Sequence, residues 1–248
     1  MEVRVKDESF IRYGKGMVIN MDIKSLRINP TLACGNLLNY KEDLDILKAL
    51  GNKILHIDVM DGHYVPNLCF DLNTIKAIKN NYDFLLDVHL MVTNPEDYVE
   101  PLKEIGVDFI SFHIDATSFS LRLLKQIREL GIKAGIVINP SQSIASAIQL
   151  YPYTDFVLLM AVEPGFSGQQ FIPETIDKIE ELNQLRKERG YDFLIEVDGG
   201  INHENSISCI KSGADILVSG AFGVFERKNG LMEDYRYTKS IVDSQDEV

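Results

Sequence analysis

The sequence predicts an α/β protein built as a single closed (β/α)8 barrel, and three observations predict it. Eight short β-rich apolar runs recur along the 248 residues, segments with helical spacing separate them, and several of those segments stop at a glycine just before the next run. Parallel strands need crossover helices, so this alternation implies a parallel sheet, and eight units in a chain of this length fill one barrel without remainder. An open doubly wound sheet is the weaker alternative.

The first strand is expected at 25–32, followed by a helix whose apolar face is Leu44, Ile46, Leu47 and Leu50 and which stops at Gly51. The second and third strands are expected at 53–58 and 84–91, and the helix after the third ends at Gly106. A fourth strand at 108–113 leads to a helix packed through Leu121, Leu124, Ile127 and Leu130 and closed by Gly131. Strands five and six follow at 133–139 and 156–160, and then a long helix with Ile176, Ile179, Leu182 and Leu185 ends at Gly190. The seventh strand, 193–198, its helix ending at Gly213, and the eighth strand, 216–219, complete the series. Each of these glycines stands where a left-handed helix C-cap is expected. Residues 1–24 precede the repeat as an extension that covers either the barrel floor or a neighbouring subunit, 25–241 form the barrel domain, and 242–248 read as a frayed acidic tail.

Composition narrows the function classes. A chain 45% hydrophobic and 25% charged is ordinary globular protein, and its net charge of −12, with no basic run, argues against nucleic acid as a partner. No apolar segment is long enough to cross a bilayer, and the N-terminus, with Arg4, Lys6, Asp7 and Glu8, lacks the apolar core of a signal peptide. Cys34, Cys69 and Cys209 are too few for a disulfide framework and include no C-x-x-C pair, which fits a reducing compartment. A cytoplasmic protein with no membrane partner is expected.

A barrel of this kind carries its chemistry at the C-terminal ends of its strands. His56 and Asp58 close the second strand, His89 the third, Met160 the sixth and Asp198 the seventh. Residues i and i+2 of a strand share a face, so His56 and Asp58 are able to grip one ion together while Ile57 packs away from it. A lone strand-end histidine is ordinarily structural, but four donors at matching strand ends point to a metal site, and an N2O2 set suits Zn²⁺, Mn²⁺, Co²⁺ or Fe²⁺. Phosphate recognition is expected from glycine-rich backbone after the seventh and eighth strands, at Gly199-Gly200 and Ser219-Gly220-Ala221, against helix N-termini.

Residues 56–67 (HIDVMDGHYVPN), 87–92 (DVHLMV), 162–171 (VEPGFSGQQF) and 196–201 (EVDGGI) closely resemble the ribulose-phosphate 3-epimerases. The resemblance spans nearly the whole barrel, and it implies the ribulose-phosphate-binding type of TIM barrel. It implies one divalent metal, zinc first, held by His56, Asp58, His89 and Asp198, with Asp58 and Asp198 as the acid/base pair. It also places Met60, Met91 and Met160 near the metal and the loop Gly165-Phe166-Ser167-Gly168 over a phosphorylated ketose. No nucleotide or flavin is implied, and a homodimer or higher assembly is.

Inverting a carbon beside a ketone requires removing its hydrogen from one face and returning one to the other, so two carboxylates must stand on opposite sides of the substrate. An enediolate intermediate follows, and a metal at its oxygens stabilises the developing charge. Three departures bear on the substrate. The family's Pro-Ser is Pro30-Thr31 here, a serine is Ala221, and Gly-Pro after the second-strand loop is Asp71-Leu72. Local features such as 37–40, 67–68, 93–98 and 185–190 look closer to the D-allulose 6-phosphate 3-epimerases, so a six-carbon substrate stands beside D-ribulose 5-phosphate. The related orotidine-phosphate decarboxylase and hexulose-phosphate synthase group carries Asp-x-Lys-x-x-Asp on its third strand, where this chain has His89 and Val92, so lysine chemistry is not expected. A noncatalytic sensor is disfavoured by the intact donor set. His63 reads as a loop residue, His113 as a mouth residue away from metal, His203 as lying near a helix start, Cys34 as bordering the pocket, and Cys69 and Cys209 as packing residues.

Overall fold

The structure, a computed structural model, describes residues 10–13, 17–20 and 26–246. Strands β3 (Ile28–Pro30), β4 (Ile54–Asp61), β6 (Leu85–Met91), β7 (Phe109–His113), β8 (Lys133–Ile138), β9 (Phe156–Met160), β10 (Leu194–Asp198) and β11 (Ile216–Ser219) form one curled parallel sheet. The sheet runs in the order β3-β11-β10-β9-β8-β7-β6-β4. It closes where Thr31 bridges His56 in parallel fashion and the Thr31 N–H donates to Ser219 O at 3.2 Å. The short β5 (Leu68–Cys69) lies antiparallel on β4. Between strands stand α1 (Tyr40–Ala49), α2 (Leu72–Asn81), α3 (Glu96–Ile105), α4 (Ser120–Glu129), α5 (Thr175–Arg189), α6 (His203–Ser212) and, last, α7 (Leu231–Asp243).

The period of two along each strand divides its side chains between two cores. On β4, Leu55, Ile57 and Val59 join a core shared with Leu44 and Leu47 of α1 and Ile75 and Ile78 of α2. Ile54 instead faces the barrel axis and packs with Leu26, Leu85, Phe109, Phe156 and Ile216 into an apolar floor. Gly135 is required there, because a Cβ on it would collide with the Phe156 ring.

Four features depart from the sequence reading. The first strand is short, Ile28–Pro30, and gives way to a 3-10 turn at Leu32–Cys34. β4 runs three residues past Asp58, because Met60 pairs with both Met91 of β6 and Cys69 of β5. The fifth crossover is two 3-10 turns, Ile144–Ala147 and Tyr151–Tyr153, in place of an α-helix. Pro152, which has no N–H, is the second residue of the second turn, and the Ser143 side chain caps the first, so the segment never builds the contiguous helical ladder its neighbours do. Finally, the chain stays helical past the expected boundary: Val242 is core, and a 3-10 turn spans Ser244–Asp246.

Of the 1–24 extension, β1 (Phe10–Tyr13) and β2 (Met17–Asn20) pair antiparallel with each other, and the remainder lies outside the described residues. Among the described residues no helix is long and apolar enough to cross a membrane.

Candidate active site

Above the apolar floor, the axis-facing positions of β7 turn polar at Ser111 and His113, and four other strands carry polar pairs, also spaced i and i+2, that converge on one cluster. These are Asn29 and Thr31 around β3, His56 and Asp58 on β4, Asp87 and His89 on β6, and Glu196 and Asp198 on β10. Each pair builds two storeys: Asn29, His56, Asp87 and Glu196 below, and Thr31, Asp58, His89 and Asp198 above. All eight are buried except Asp198, which keeps 15% of its side chain exposed.

The two storeys meet in a four-donor cluster. His56 Nε2 lies 3.4 Å from Asp58 Oδ1 and 3.8 Å from Asp198 Oδ2, and His89 Nδ1 lies 3.3 and 3.9 Å from the same two oxygens. Donors about 2.0–2.1 Å from a tetrahedral cation stand about 3.3–3.4 Å apart, so two of these separations already equal the edges of such a polyhedron. Both ring nitrogens are buried and have no hydrogen-bond partner. An unpartnered buried imidazole nitrogen is costly, and a cation is the partner that two imidazoles and two carboxylates fit. The opposite ring nitrogens are engaged: His56 Nδ1 is 2.6 Å from Asp87 Oδ2, and His89 Nε2 is 2.9 Å from His113 Nε2. With a cation in the cluster, the carboxylate on Nδ1 would fix the tautomer that presents the His56 Nε2 lone pair to it.

Electrostatics separates the two aspartates. Burial works to raise the Asp58 carboxyl, but the imidazoles of His56 and His89 outweigh it and hold the group well below the usual carboxylate range. Asp198 goes the other way, to about 6, because burial and the charge of Asp58 prevail over the attraction of His56. His56 is lifted well above an ordinary imidazole: burial opposes this, and Asp58 and Asp87 overcome it. His113 is pushed well below by burial and by His89 beside it, which keeps its ring neutral at the His89 Nε2–His113 Nε2 contact. Glu196 is raised strongly by burial and by Asp87.

Over the cluster opens a cavity. It is lined by Thr31, Met60, Met91, Met160, Gly165, Phe166, Ser167, Gly168, Gly199, Gly200, Gly220 and Ala221, whereas Ser219, expected beside Gly220, is buried away from it and accepts from the Val224 N–H. Asp58 and Asp198 reach its wall, whereas His56 and His89 sit beneath with no exposed surface. Thr31 Oγ1 donates to Asp58 Oδ2 at 2.7 Å. The loop after β9 folds on itself through Gln169, whose Nε2 donates to Glu163 O at 2.6 Å and Phe166 O at 2.9 Å, and Asn67 holds it from outside by donating to Gly165 O at 2.8 Å. Gly199 and Gly200 both have positive φ, and a Cβ would meet Val162 at 2.5 Å in the first case and collide with the Phe171 backbone in the second. After β11 the expected helix N-terminus is a turn, with the Gly223 and Phe225 N–H groups both donating to Gly220 O.

The remaining residues sort by position. Cys34 lines the cavity, its thiol raised by burial despite contacts with Ser167 and Ala221, so it is a poor nucleophile. Asp71 and Leu72 lie outside the cavity: Asp71 caps α2 by accepting from the Thr74 N–H, and Leu72 packs on the core. His63 is in an exposed loop, His203 opens α6, Cys209 is buried core, and half-buried Cys69 packs with Met60 and Met91. The sequence reading passed over Asn29, Asp87 and Glu196 as site residues. Their signal was the same i, i+2 spacing that exposed His56 and Asp58. It also passed over the lining side chains Val162, Gln169, Ile201 and Phe222.

Comparison with known proteins agrees with this architecture. Residues 27–225 match the family model described as the ribulose-phosphate 3 epimerase family. The ribulose-phosphate 3-epimerase of Treponema pallidum is 40% identical over 198 residues, covering 80% of this chain and 91% of that protein. The Bacillus subtilis ribulose-phosphate 3-epimerase is 36% identical over 211 residues, covering 84% and 97%. Among solved structures, 3-hexulose-6-phosphate synthase from Salmonella typhimurium superposes with a TM-score of 0.66 at 14% identity, covering 88% of this chain and 99% of that one. Thiamine phosphate pyrophosphorylase from Pyrococcus furiosus gives 0.61 at 13%, covering 90% and 98%. At such identities these two show the barrel fold alone.

Proposed function

The chain belongs to the ribulose-phosphate 3-epimerase family, and from that premise we propose that it interconverts D-ribulose 5-phosphate and D-xylulose 5-phosphate by inverting C3. The observation that carries this reading is the pair of carboxylates, Asp58 and Asp198, that share one cation-sized cluster, line one cavity and are shifted in opposite directions, Asp58 towards the stronger acid and Asp198 towards the stronger base.

In this reading Asp58, ionised, takes the C3 proton from one face of the substrate, and Asp198, the more basic carboxyl, returns a proton to the other. The roles exchange in the reverse direction. Their strands lie three places apart around the barrel, by way of β11 and β3, so the two groups approach a bound sugar from different sides. Thr31 steadies Asp58 through the oxygen that does not face the imidazoles. His56, Asp58, His89 and Asp198 would hold one divalent ion, zinc by donor type. Such an ion supplies Lewis-acid stabilisation of the charge that develops on the ketose oxygens. Met60, Met91 and Met160 surround the carboxylates with polarizable apolar surface that keeps bulk water away and strengthens the electrostatics. Backbone at Gly165 to Gly168, Gly199-Gly200 and Gly220-Ala221 takes the phosphate. The enzyme works as a cytoplasmic homo-oligomer in this account.

D-Allulose 6-phosphate is the competing substrate, because Thr31 and Ala221, two departures from the family pattern, line the cavity. The deciding experiment follows solvent deuterium entering C3 by NMR, with zinc-loaded protein and each sugar phosphate separately. Exchange with epimerisation of ribulose 5-phosphate in preference supports the reading; preference for allulose 6-phosphate replaces it, and no exchange with either defeats the epimerase assignment.

A further inference from the structure

Beneath the donor cluster, the barrel holds two acidic side chains where no solvent reaches. Asp87 and Glu196 are each 1% exposed, and together with His56 they place ligand-type atoms within 4.8 Å of one another. By composition this is a second cation site stacked under the first. The Asn29 side chain, itself fully buried, bridges its two carboxyls: Nδ2 donates to Asp87 Oδ2 at 2.9 Å and to Glu196 Oε1 at 2.9 Å. Both amide hydrogens are thereby used, one on each carboxyl. The reverse amide orientation would set a carbonyl oxygen against Asp87 Oδ2, which already accepts from His56, so that oxygen fixes which way Asn29 points.

The oxygen that Asn29 holds, Asp87 Oδ2, is the one that receives the His56 Nδ1–H at 2.6 Å. Asp87 Oδ1 has no partner. One carboxylate oxygen therefore takes both donors, and its angle to the imidazole depends on the amide that pins it from the other side. The chain of contact runs Glu196, Asn29, Asp87, His56, and ends at the unpartnered His56 Nε2 in the four-donor cluster.

We propose that Asn29 is a positioning residue that stands in for a lower cation, bridging Asp87 and Glu196 so that Asp87 holds His56 in the orientation the metal requires. The inference rests on the metal reading of the upper cluster. It assigns the lower cluster no ion of its own, and it assigns Asn29, which touches neither substrate nor metal, a role in metal affinity. Outer partners of metal-bound histidines typically carry 10- to 100-fold in affinity or activity. Asn29→Leu preserves side-chain size and removes both donors, whereas Asn29→Gln keeps the amide with one more methylene.

The test uses cobalt(II) as the probe, titrated into metal-free wild type, Asn29→Leu and Asn29→Gln, with affinity by chelator competition and coordination by the visible d–d spectrum. The expected result is one Co²⁺ per wild-type chain, a 10- to 100-fold weaker Kd with an altered spectrum in Asn29→Leu, and partial recovery in Asn29→Gln. Wild-type affinity and spectrum in folded Asn29→Leu would overturn the positioning role alone. Two ions per wild-type chain would overturn the stand-in, and no binding by wild type would overturn the metal reading with it. Because Asn29→Leu disturbs a buried network and is at risk of not folding, a second measurement uses zinc-loaded wild type. Both Asn29 side-chain amide protons should resist exchange with D₂O as strongly as core backbone amides, and rapid exchange of either would refute the bridge.

Discussion

The floor of the barrel and the two polar storeys above it are built by the same strands, often two residues apart, yet they obey opposite rules. Ile54 and His56, or Leu85 and Asp87, are neighbours on one face of one strand. The lower member of each pair joins a seal of aliphatic and aromatic side chains, and the upper joins a cluster of acids and imidazoles with unpartnered atoms. The floor lowers the energy of the fold by removing apolar surface from water. The storeys raise it, since buried charge and unpaired ring nitrogens are unfavourable until a ligand arrives. Stability and chemistry are thus separable along the barrel axis, and substitutions at the two levels should separate them.

The largest effect belongs to the storeys. Asp58→Asn and Asp198→Asn should each lower epimerisation by at least about 10³-fold; the metal-free melting temperature should stay level or rise in Asp198→Asn, where a crowded carboxyl is removed, and fall in Asp58→Asn, where the imidazoles of His56 and His89 lose the carboxylate they hold. A steady-state assay beside calorimetry checks both parts. The floor should give the mirror image: Phe156→Ala, which empties the space Gly135 leaves for that ring, should cost about 3–5 kcal/mol of unfolding free energy in denaturant titrations. The folded fraction should keep kcat near wild type, and a matching loss of kcat would break the separation.

Acidity offers a test of intermediate size. In the metal-free protein Asp198 sits at about 6, above the roughly 4 of an unfolded aspartate, so the native state binds the extra proton in that window and stability falls as pH rises through it. His56, also raised, contributes stability that is complete below about 6.5 and is lost as pH climbs through its higher native value. Metal-free protein should therefore melt at higher temperature at pH 5 than at pH 8. Zinc-loaded protein should show the opposite order, since metal needs the deprotonated donors. Melts of the two forms across that range should cross, and parallel curves would contradict the assignment of the donors. The smallest effect is at Thr31: removing its hydroxyl from Asp58 with Thr31→Ala should lower kcat/KM about ten-fold, about 1.4 kcal/mol, and Thr31→Ser should restore it.

The eightfold alternation and the upper storey were legible in the sequence because both rest on short-range periodicity. A strand places i and i+2 on one face whatever the rest of the chain does, so His56 with Asp58 announced itself, and the strand-end rule of the barrel added His89 and Asp198 to them. The lower storey obeyed the same rule, but Asn29, Asp87 and Glu196 acquire meaning only when strands distant in sequence meet on the barrel axis. The 3-10 crossover at 144–153 was read as one of eight regular units because counting strands fixes the number of crossovers and not their form. The extension of β4 to Asp61 depends on β5, two residues whose pairing no local pattern signals. The turn after β11 replaced an expected helix N-terminus because Gly220 O draws two backbone donors onto itself. Asp71-Leu72 looked like a substrate feature in one dimension and is a helix cap in three.

The central claim is that two aspartates serve the two faces of C3, and single-face exchange tests it most directly. Metal-loaded Asp58→Asn and Asp198→Asn, with metal content verified, would be incubated in D₂O with D-ribulose 5-phosphate and D-xylulose 5-phosphate separately, and C3 deuteration followed by NMR. The account expects complementary behaviour: each variant washes deuterium into the one epimer whose C3 hydrogen faces the surviving aspartate, and neither variant epimerises. Exchange of both epimers by one variant, or loss of both by each variant with metal in place, would contradict it.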